Sequence, residues 1–198
     1  MAYRVDITER DQVAASVASF EATWGPVQGL ANVAGWDTPV AFLKTDRALW
    51  DKVIQINLYG PLNMHHVVAR GMAERGFGRV VNVASDAGRV GSSGEAVYSA
   101  CKGGIIAFTK TVAREVARKG ITLNTVCPGP TDTPLLAAVA GADERGQKIR
   151  AALVSAIPMK RVGQPDDIPG AVCFLASDDA AFITGQTISV SGGLTMHG

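Results

Sequence analysis

Three side chains that can manage protons lie close together in the sequence: the hydroxyl of Ser85, the phenol of Tyr98 and the ammonium group of Lys102. Apolar residues recur at helical spacing from Ser99 onward, so Tyr98 and Lys102 are predicted to share one helix face, where their side chains converge. A free phenol has a pKa of about 10, and an ammonium group within about 5 Å lowers that pKa by favouring phenolate. The pattern therefore predicts an active site in which Tyr98 exchanges a proton with an alcohol near neutral pH.

A tyrosine and a lysine at this spacing more often mean a half-buried ring and a solvated charge, so the prediction depends on context. Ser85 follows a β-branched run at 80–83 that is typical of a buried strand. Asn57 lies in a helical stretch before that strand, and the segment 124–133, at the end of the next strand, carries further polar residues. These groups are interpreted together as one site.

Strand and helix patterns alternate along the chain. Strands are predicted at 4–7, 27–33, 79–84, 121–127 and 182–190, and helices at 9–24, with Thr8 as N-cap, and at 46–75, 98–118 and 165–176. The second helix is expected to be interrupted near Asn57 by Gly60 and Pro61. Such alternation indicates parallel strands joined by right-handed helical crossovers, in an α/β fold with three layers.

The segment 130–164 departs from this alternation. It contains an apolar helical piece that begins at Pro134, a charged run at 143–150, and breaks at Pro158 and near Pro165. We expect it to form a mobile lid over the substrate. The sequence has no repeats, low-complexity tracts or linkers, so residues 1–198 are predicted to form a single domain.

Composition limits the classes of function. The chain has 198 residues, 47% hydrophobic and 19% charged, as expected for one soluble domain. A net charge of +1 without a dense basic run predicts no nucleic-acid or membrane partner. No apolar stretch reaches the length of a membrane span and no secretory signal is recognisable, so a cytoplasmic location is expected. Three cysteines without Cys-x-x-Cys spacing predict no metal site and no disulfide framework.

Several of these motifs, in this order and at this spacing, resemble the short-chain dehydrogenase/reductase family, from about Asp6 to the C-terminus. The resemblance implies a Rossmann-like, doubly wound parallel sheet and an oxidoreductase that transfers a hydride between a nicotinamide cofactor and a secondary alcohol or ketone. Tyr98 would be the general acid or base, with its pKa lowered by Lys102, which would also hold the nicotinamide ribose. Ser85 would orient the substrate oxygen, and Asn57 would relay protons.

The resemblance also implies a set of cofactor-binding residues. A stretch at 32–35 resembles the family's Asn-Asn-Ala-Gly, with Val33 in place of the second asparagine. The residues at 6–7 would meet the adenine, and the segment that begins at 128 would face the nicotinamide. Besides Tyr98 and Lys102, the implied contacts are Asp6, Ile7, Asn32, Ala34, Gly35, Pro128, Gly129, Thr131 and Thr133. The implied cofactor is NAD, and the sequence leaves NADP open.

Within the family, a finer resemblance is to 2-hydroxycyclohexanecarboxyl-CoA dehydrogenases. It lies in the segments 35–37, 64–66, 89–98, 127–133 and 183–196. It implies that a cyclic 2-hydroxyacyl-CoA is oxidised to the 2-oxoacyl-CoA, so the expected partner is an acyl-CoA or another alcohol or ketone. An alternative within the family is a 3-oxoacyl-thioester reductase. Similar members are commonly tetramers, so a homotetramer or homodimer formed through the two long central helices is expected.

One motif of the family does not occur in the sequence. Complete members begin with a strand and a loop Thr-Gly-x-x-x-Gly-x-Gly, whose backbone N–H groups approach the cofactor pyrophosphate. Met1 falls where the third strand of a complete member would begin, so the resemblance implies a sheet truncated at its N-terminus, without the first two strand–helix units. We therefore expect this chain to bind NAD weakly if at all. A second hypothesis is a non-catalytic fragment or assembly partner that is unable to bind the cofactor.

Overall fold

Four parallel strands form one sheet in the computed structural model, which describes residues 2–141 and 143–196. Within that part of the chain the strands are β1 (Gly29–Asn32), β2 (Gly78–Val83), β3 (Ile121–Pro128) and β4 (Thr187–Val190), in the spatial order β1-β2-β3-β4. Val80 of β2 lies between Leu30 of β1 and Leu123 of β3. Each strand is therefore a neighbour of the next one along the chain, and the predicted parallel pairing is confirmed.

Helices cover both faces of this sheet. They are α1 (Arg10–Trp24), α2 (Arg47–Ile54), α3 (Gly60–Arg75), α4 (Ala87–Val90), α5 (Ala96–Val116), α6 (Pro134–Ala140), α7 (Glu144–Ala156) and α8 (Pro169–Ala176). On one face, Met72 of α3 and Ala113 of α5 pack with Val80. On the other face, Leu175 of α8 packs with Val81. The predicted α/β architecture, with a sheet between two helical layers in a Rossmann-like arrangement, is confirmed.

The segment before α1 differs from the prediction. The strand predicted at 4–7 is wrong, because the structure has no strand there and no partner strand beside it among the described residues to complete its backbone hydrogen bonds. Thr8 is not the N-cap of α1, which begins at Arg10 after Glu9. Instead, the Thr8 backbone N–H and hydroxyl donate to the Asp6 carboxylate at 2.9 and 2.8 Å. A local side-chain turn has replaced the expected cap.

The long helix before β2 is widened rather than interrupted at the predicted place. Asp46 caps α2 by accepting a hydrogen bond from the backbone N–H of Leu49 at 2.9 Å. The helix then continues through a π-helical turn, Gln55–Tyr59, into α3, with Pro61 inside the first turn of α3. In a π turn the backbone bonds span five residues, so the chain absorbs an extra residue without ending the helix. This widened turn contains Asn57, which is fully buried.

The remaining predicted elements are present with shifted ends. β1 and β4 are shorter than predicted, and the Phe182 side chain is fully exposed before β4 begins. Gly76 and Gly120 end their helical segments in the left-handed conformation, with φ of 73° and 69°. Among residues 2–141 and 143–196, no helix is both long and apolar enough to cross a membrane.

Candidate active site

The carboxyl ends of the strands bring most of the predicted site residues to one edge of the sheet. Gly35 follows β1, Ser85 follows β2, and Gly129 follows β3. The loop after β2 leads into α5, with Tyr98 in its first turn and Lys102 in its second. Ligands of open parallel α/β sheets bind outside this edge. The topology therefore places these residues where a ligand can reach them.

Ser85, Tyr98 and Lys102 form one cluster, as predicted from their spacing. The Lys102 Nζ atom lies 5.5 Å from the centroid of the Tyr98 ring. This lysine is buried, and its ammonium group donates to the carbonyl oxygen of Val83 at 3.1 Å. The Ser85 hydroxyl accepts a hydrogen bond from the backbone N–H of Ala87 at 3.1 Å, and it is also hydrogen-bonded to the Tyr98 phenol.

The expected lowering of the Tyr98 pKa is wrong for this structure. Burial of the phenol raises the pKa of Tyr98 to about 12; the Ser85 hydrogen bond lowers it, and the charges of Glu95 and Asp37 raise it further. Lys102 does not reverse this balance, because burial lowers the pKa of its own ammonium group to about 8 and that group is bonded to a backbone carbonyl. Tyr98 therefore holds its proton at neutral pH.

Asn57 ties the loop after β1 to the π turn. Its side-chain amide donates to the Trp36 carbonyl at 2.6 Å and to the Val53 carbonyl at 2.9 Å, and its oxygen accepts from the Trp36 N–H at 3.2 Å. A Cβ atom on Gly35 would lie 3.0 Å from the Asn57 Oδ1 atom and 3.4 Å from Lys102 Nζ, so glycine permits this close approach. Asn57 positions the loop, and its role in proton relay stays a prediction.

Asn32 belongs to a buried polar network beneath the site. Its side chain donates to the Asn82 oxygen at 3.0 Å, and that oxygen also hydrogen-bonds with the His65 ring at 2.9 Å. The Asn82 amide donates in turn to Thr109 at 2.8 Å. Ala34, by contrast, is exposed at the sheet edge. The network joins β1, β2, α3 and α5, and sequence reasoning does not find it because its members are far apart in the chain.

The segment that the resemblance assigns to the nicotinamide begins at Pro128, the last residue of β3. A Cβ atom on Gly129 would lie 2.7 Å from the Ser191 Cβ atom, so this segment passes tightly beside the end of β4. The Thr131 hydroxyl donates to the Gly129 carbonyl at 2.9 Å, and Thr133 caps α6. The structure brings these residues to the correct edge, and their contact with a cofactor stays a prediction.

Asp6 and Ile7 lie beside the start of α3. The Asp6 carboxylate is exposed and bonded to Thr8, which keeps its pKa below the ordinary value. Ile7 packs so closely on Gly60 that a Cβ atom there would lie 2.6 Å from the Ile7 Cδ1 atom. The Asn63 side chain donates to the Ile7 carbonyl at 3.0 Å. These contacts fix the segment on α3, and the contact with an adenine ring stays a prediction.

Backbone hydrogen bonds close the base of the segment 130–164. The Gly163 N–H donates to the Pro130 carbonyl at 2.9 Å, and the Asp132 N–H donates to the Gly163 carbonyl at 2.8 Å. Within the segment, Arg150 of α7 forms an ion pair with Asp132 at 2.7 Å. The segment is thus a helical excursion with its two ends joined at the sheet edge. Its mobility as a lid stays a prediction.

Sequence reasoning misses two acidic residues beside Tyr98. Asp37 is only 7% exposed, and it lines a small cavity together with Glu95 and Tyr98. Burial raises the pKa of Asp37 to about 6; the Thr38 backbone N–H opposes this rise, and Glu95 adds to it. An aspartate that follows a strand resembles an ordinary loop residue, so no sequence pattern signals its burial.

Known proteins are similar in sequence to nearly the whole chain. A family model described as enoyl-(acyl carrier protein) reductase matches residues 1–195. Nodulation protein G of Azospirillum brasilense is 43% identical over 189 residues, which cover 96% of this chain and 74% of that protein. Acetoacetyl-CoA reductase of Allochromatium vinosum is 39% identical over 195 residues, covering 98% and 77%. The 3-oxoacyl-(acyl-carrier-protein) reductase FabG of Vibrio harveyi is 38% identical over 192 residues, covering 97% and 76%.

The chain spans about three quarters of the length of these relatives. Two of them are named as reductases of 3-oxoacyl thioesters, so the comparisons do not specifically support the finer resemblance to 2-hydroxycyclohexanecarboxyl-CoA dehydrogenases. They agree with the broader expectation of a nicotinamide-dependent oxidoreductase. A family model matches nearly every residue of the chain, and about two fifths of the residues aligned with these relatives are identical. The chain therefore belongs to the short-chain dehydrogenase/reductase family.

Proposed function

We propose that the protein is a 3-oxoacyl-thioester reductase, which reduces the ketone of an acyl-CoA or a similar thioester. The observation that carries this proposal is the cluster at the carboxyl edge of the sheet, where the Tyr98 phenol lies beside the Ser85 hydroxyl and its ring centroid lies 5.5 Å from the Lys102 Nζ atom. Ketone reduction needs a proton donor at the carbonyl oxygen, and a neutral phenol is such a donor. The names of two relatives, acetoacetyl-CoA reductase and 3-oxoacyl-(acyl-carrier-protein) reductase, support the same direction.

Ser85 and Tyr98 act on the same substrate oxygen in this proposal. The Ser85 hydroxyl donates a hydrogen bond that orients the carbonyl, and Tyr98 gives the oxygen its proton as the alcohol forms. The Ala87 N–H holds the Ser85 oxygen at 3.1 Å before the substrate arrives. Lys102, with a pKa of about 8, is mostly charged at neutral pH and stabilises the phenolate that remains after the transfer.

A nicotinamide cofactor, NAD or NADP, supplies the hydride when bound. The described residues fit its nicotinamide side, because Gly35 leaves open the space beside Lys102 Nζ, which a Cβ atom would approach to 3.4 Å. We propose that Lys102 donates to the ribose hydroxyls there, with Asn32, Ala34 and the segment 128–133 along the same edge. The family's glycine-rich loop, which contacts the cofactor pyrophosphate, does not occur in the 198 residues. These residues therefore provide only the nicotinamide side of the cofactor site.

The reverse reaction, oxidation of a cyclic 2-hydroxyacyl-CoA, is a second candidate. The segments 35–37 and 64–66, which resemble dehydrogenases of that substrate, favour it. That reaction needs Tyr98 as a base, and therefore a bound ligand or an alkaline pH that produces phenolate. The names of the two reductase relatives are the reason why we place reduction first.

We also propose a homodimer or homotetramer that forms through α3 and α5, in the cytoplasm. A groove of about 580 Å³ runs along these helices and is largely apolar at its floor. Phe108, Val112 and Val116 of α5 line it together with Ala69 of α3. A second copy that inserts its own α5 would bury this surface. Sedimentation of the purified chain, compared with a Val112→Asp variant, tests this assembly.

The test of the proposed reaction uses the purified chain with acetoacetyl-CoA and NADPH or NADH, followed by absorbance of the reduced nicotinamide. A parallel assay offers 2-hydroxycyclohexanecarboxyl-CoA with NAD. Reduction that disappears in Tyr98→Phe supports our proposal, whereas faster oxidation supports the second candidate. If nicotinamide fluorescence also shows no cofactor binding, both enzymatic readings of this chain fail and the assembly-partner hypothesis replaces them.

A further inference from the structure

Asp37 is an unusual group to find inside a loop beside an acid–base tyrosine. It is 7% exposed, and its Oδ2 atom has no hydrogen-bond partner among the described residues. A buried carboxylate without full pairing is costly, and proteins commonly relieve the cost by holding a proton there. Asp37 is therefore a candidate for a role in the proton chemistry of Tyr98.

A small cavity joins this carboxyl group to the proposed acid. The cavity has about 10 Å³ of free space, and Asp37, Glu95 and Tyr98 all line it. Its other walls are mostly apolar, from Val40, Leu49 and neighbouring residues. Such a volume holds one water molecule at most. Little solvent is present to screen the carboxyl charges from the phenol, so each charge acts on Tyr98 through a medium of low polarity.

The surrounding loops hold these three groups in place. The Val40 N–H donates to the Gly94 carbonyl at 2.8 Å, which joins the loop after β1 to the loop before α5. On the other side of Asp37, the backbone of Trp36 is bonded twice to Asn57. These loops hold Asp37 and Glu95 close together, so that the Glu95 carboxyl group adds to the rise of the Asp37 pKa.

Other titratable and charged groups surround this pair. Helix α5 contributes Tyr98, Cys101 and Lys102, and β3 contributes Cys127. Helix α2 contributes Lys52, whose ammonium group lies 3.8 Å from the Trp36 ring centroid. Burial raises the pKa of Cys101 above its ordinary value and that of Cys127 to about 11, so both thiols are uncharged at neutral pH. Lys102 is bonded to Val83 instead of to the acids.

We propose that Asp37 and Glu95, as positioning residues, set how firmly Tyr98 retains its phenolic proton. This inference rests on the proposed role of Tyr98 as the proton donor. When Asp37 loses its proton, its negative charge appears across the cavity from the phenol and disfavours phenolate. The pair would thus keep Tyr98 in the donor form that ketone reduction requires.

The direction of this effect follows from the charges. Burial raises the pKa of Asp37 to about 6, so Asp37 gains its negative charge as the pH rises through that value. Both Glu95 and Asp37 raise the pKa of Tyr98. Removing either charge should therefore lower the Tyr98 pKa and make phenolate accessible at a lower pH. That change favours a base, and hence oxidation, over a proton donor.

The test follows Tyr98 ionisation by NMR in the purified chain labelled with ¹³C at the tyrosine Cζ atom, with Tyr98→Phe to assign the signal. The variants are Asp37→Asn, Glu95→Gln and the exposed control Glu74→Gln. The wild-type pKa of about 12 gives roughly a tenth phenolate at pH 11, and a decrease of about one unit gives roughly half. We expect that increase in Asp37→Asn and a smaller one in Glu95→Gln, with no change in the control.

A second label, at the aspartate carboxyl carbon, reports Asp37 itself. We expect it to titrate near pH 6 and to shift downward in Glu95→Gln. Equal Tyr98 ionisation in all variants, or an Asp37 titration near its ordinary pKa of about 4, would overturn the proposal. If Asp37→Asn does not fold, the Tyr98 ionisation measured in Glu95→Gln tests the proposal alone, because Glu95 is only half-buried. Neither measurement needs turnover, so a failed reductase assay leaves this result interpretable.

Discussion

The ammonium group of Lys102 donates to the carbonyl oxygen of Val83 at 3.1 Å. Val83 is the last residue of β2, two positions before Ser85, so the bond fastens α5 to the end of the strand that carries the serine. It thereby sets the spacing between Ser85 and Tyr98. The bond has an energetic cost, because Lys102 is 3% exposed and its charge is almost completely removed from water.

We predict that Lys102→Met stabilises the fold while removing the proposed function. Burial lowers the folded-state pKa of Lys102 to about 8, against 10.5 for the ordinary side chain. The unfolded chain therefore binds this proton more tightly, and the cost to stability is complete below pH 8 and disappears above about pH 10.5. Thermal unfolding at pH 7 should show a gain of about 1–3 kcal/mol. The gain should shrink between pH 8 and 10.5.

The exposed Lys110 provides the matched control. Lys110→Met removes the same charge from the surface of α5, and its melting temperature should change little at any pH in this range. A Lys102→Met protein that is less stable than wild type at pH 7 would show that the bond to Val83 outweighs the desolvation of the charge.

We predict that Tyr98→Phe eliminates nearly all turnover in any active form of the enzyme. The substitution removes the proton-transfer group and leaves the ring, so the packing around Asp37 and Ser85 should persist. Proton transfer by a positioned side chain contributes typically about 10²–10⁴-fold, and the loss should lie in that range. Steady-state assays measure the loss, and cofactor fluorescence checks that binding is unchanged. Turnover within tenfold of wild type would rule out Tyr98 as the acid.

The sequence predicts the fold best where burial and pattern agree. β2 and β3 are almost completely buried because helices cover both of their faces, and both were recognisable from their β-branched residues. The segment 4–7 has a similar local pattern but no strand beside it among the described residues, so local propensity alone gives the wrong answer. Gly60 and Pro61 suggest a break, yet a π turn accommodates them within one helix.

The clustering of Ser85, Tyr98 and Lys102 was predictable from the sequence, but their electrostatics were not. Spacing brings Tyr98 to Lys102, and the strand end places Ser85 beside them. The sign of the Tyr98 pKa shift depends on three-dimensional facts that spacing does not contain: how deeply the phenol is buried, where the Lys102 ammonium group points, and which acids lie nearby. Asp37 and Glu95 lie far apart in the sequence, so their proximity appears only in the structure.

A third prediction concerns His65, which anchors the polar network beneath the site. Its Nε2 atom hydrogen-bonds with the Asn82 oxygen at 2.9 Å, and its Nδ1 atom has no partner among the described residues. Burial lowers the pKa of His65 below 6.5, although the Asn82 bond opposes that shift. As the pH falls through 6.5, the unfolded chain accepts a proton that the folded chain resists, so the folded state loses stability.

We expect denaturant unfolding between pH 7 and pH 5 to show this loss in wild type and to show less of it in His65→Gln. The neighbouring His66 is exposed, so His66→Gln should keep the wild-type dependence on pH. The comparison uses the change in unfolding free energy with pH, because His65→Gln also alters packing at every pH. The same slope in both variants would contradict the assignment of the loss to His65.

The last prediction tests how closely α4 and α5 must pack for the site to form. A Cβ atom on Gly88 would lie 2.6 Å from the Lys102 carbonyl carbon and 2.7 Å from the Gly103 nitrogen, which are backbone atoms that cannot rotate away. Gly88→Ala should therefore separate the two helices and destabilise the fold by about 1–3 kcal/mol. Gly170→Ala in α8 meets no atom within 4 Å and should be neutral or stabilising by up to about 1 kcal/mol. Equal melting temperatures for the two variants would mean that α4 moves freely, and that Ser85 is not held against Tyr98 by this contact.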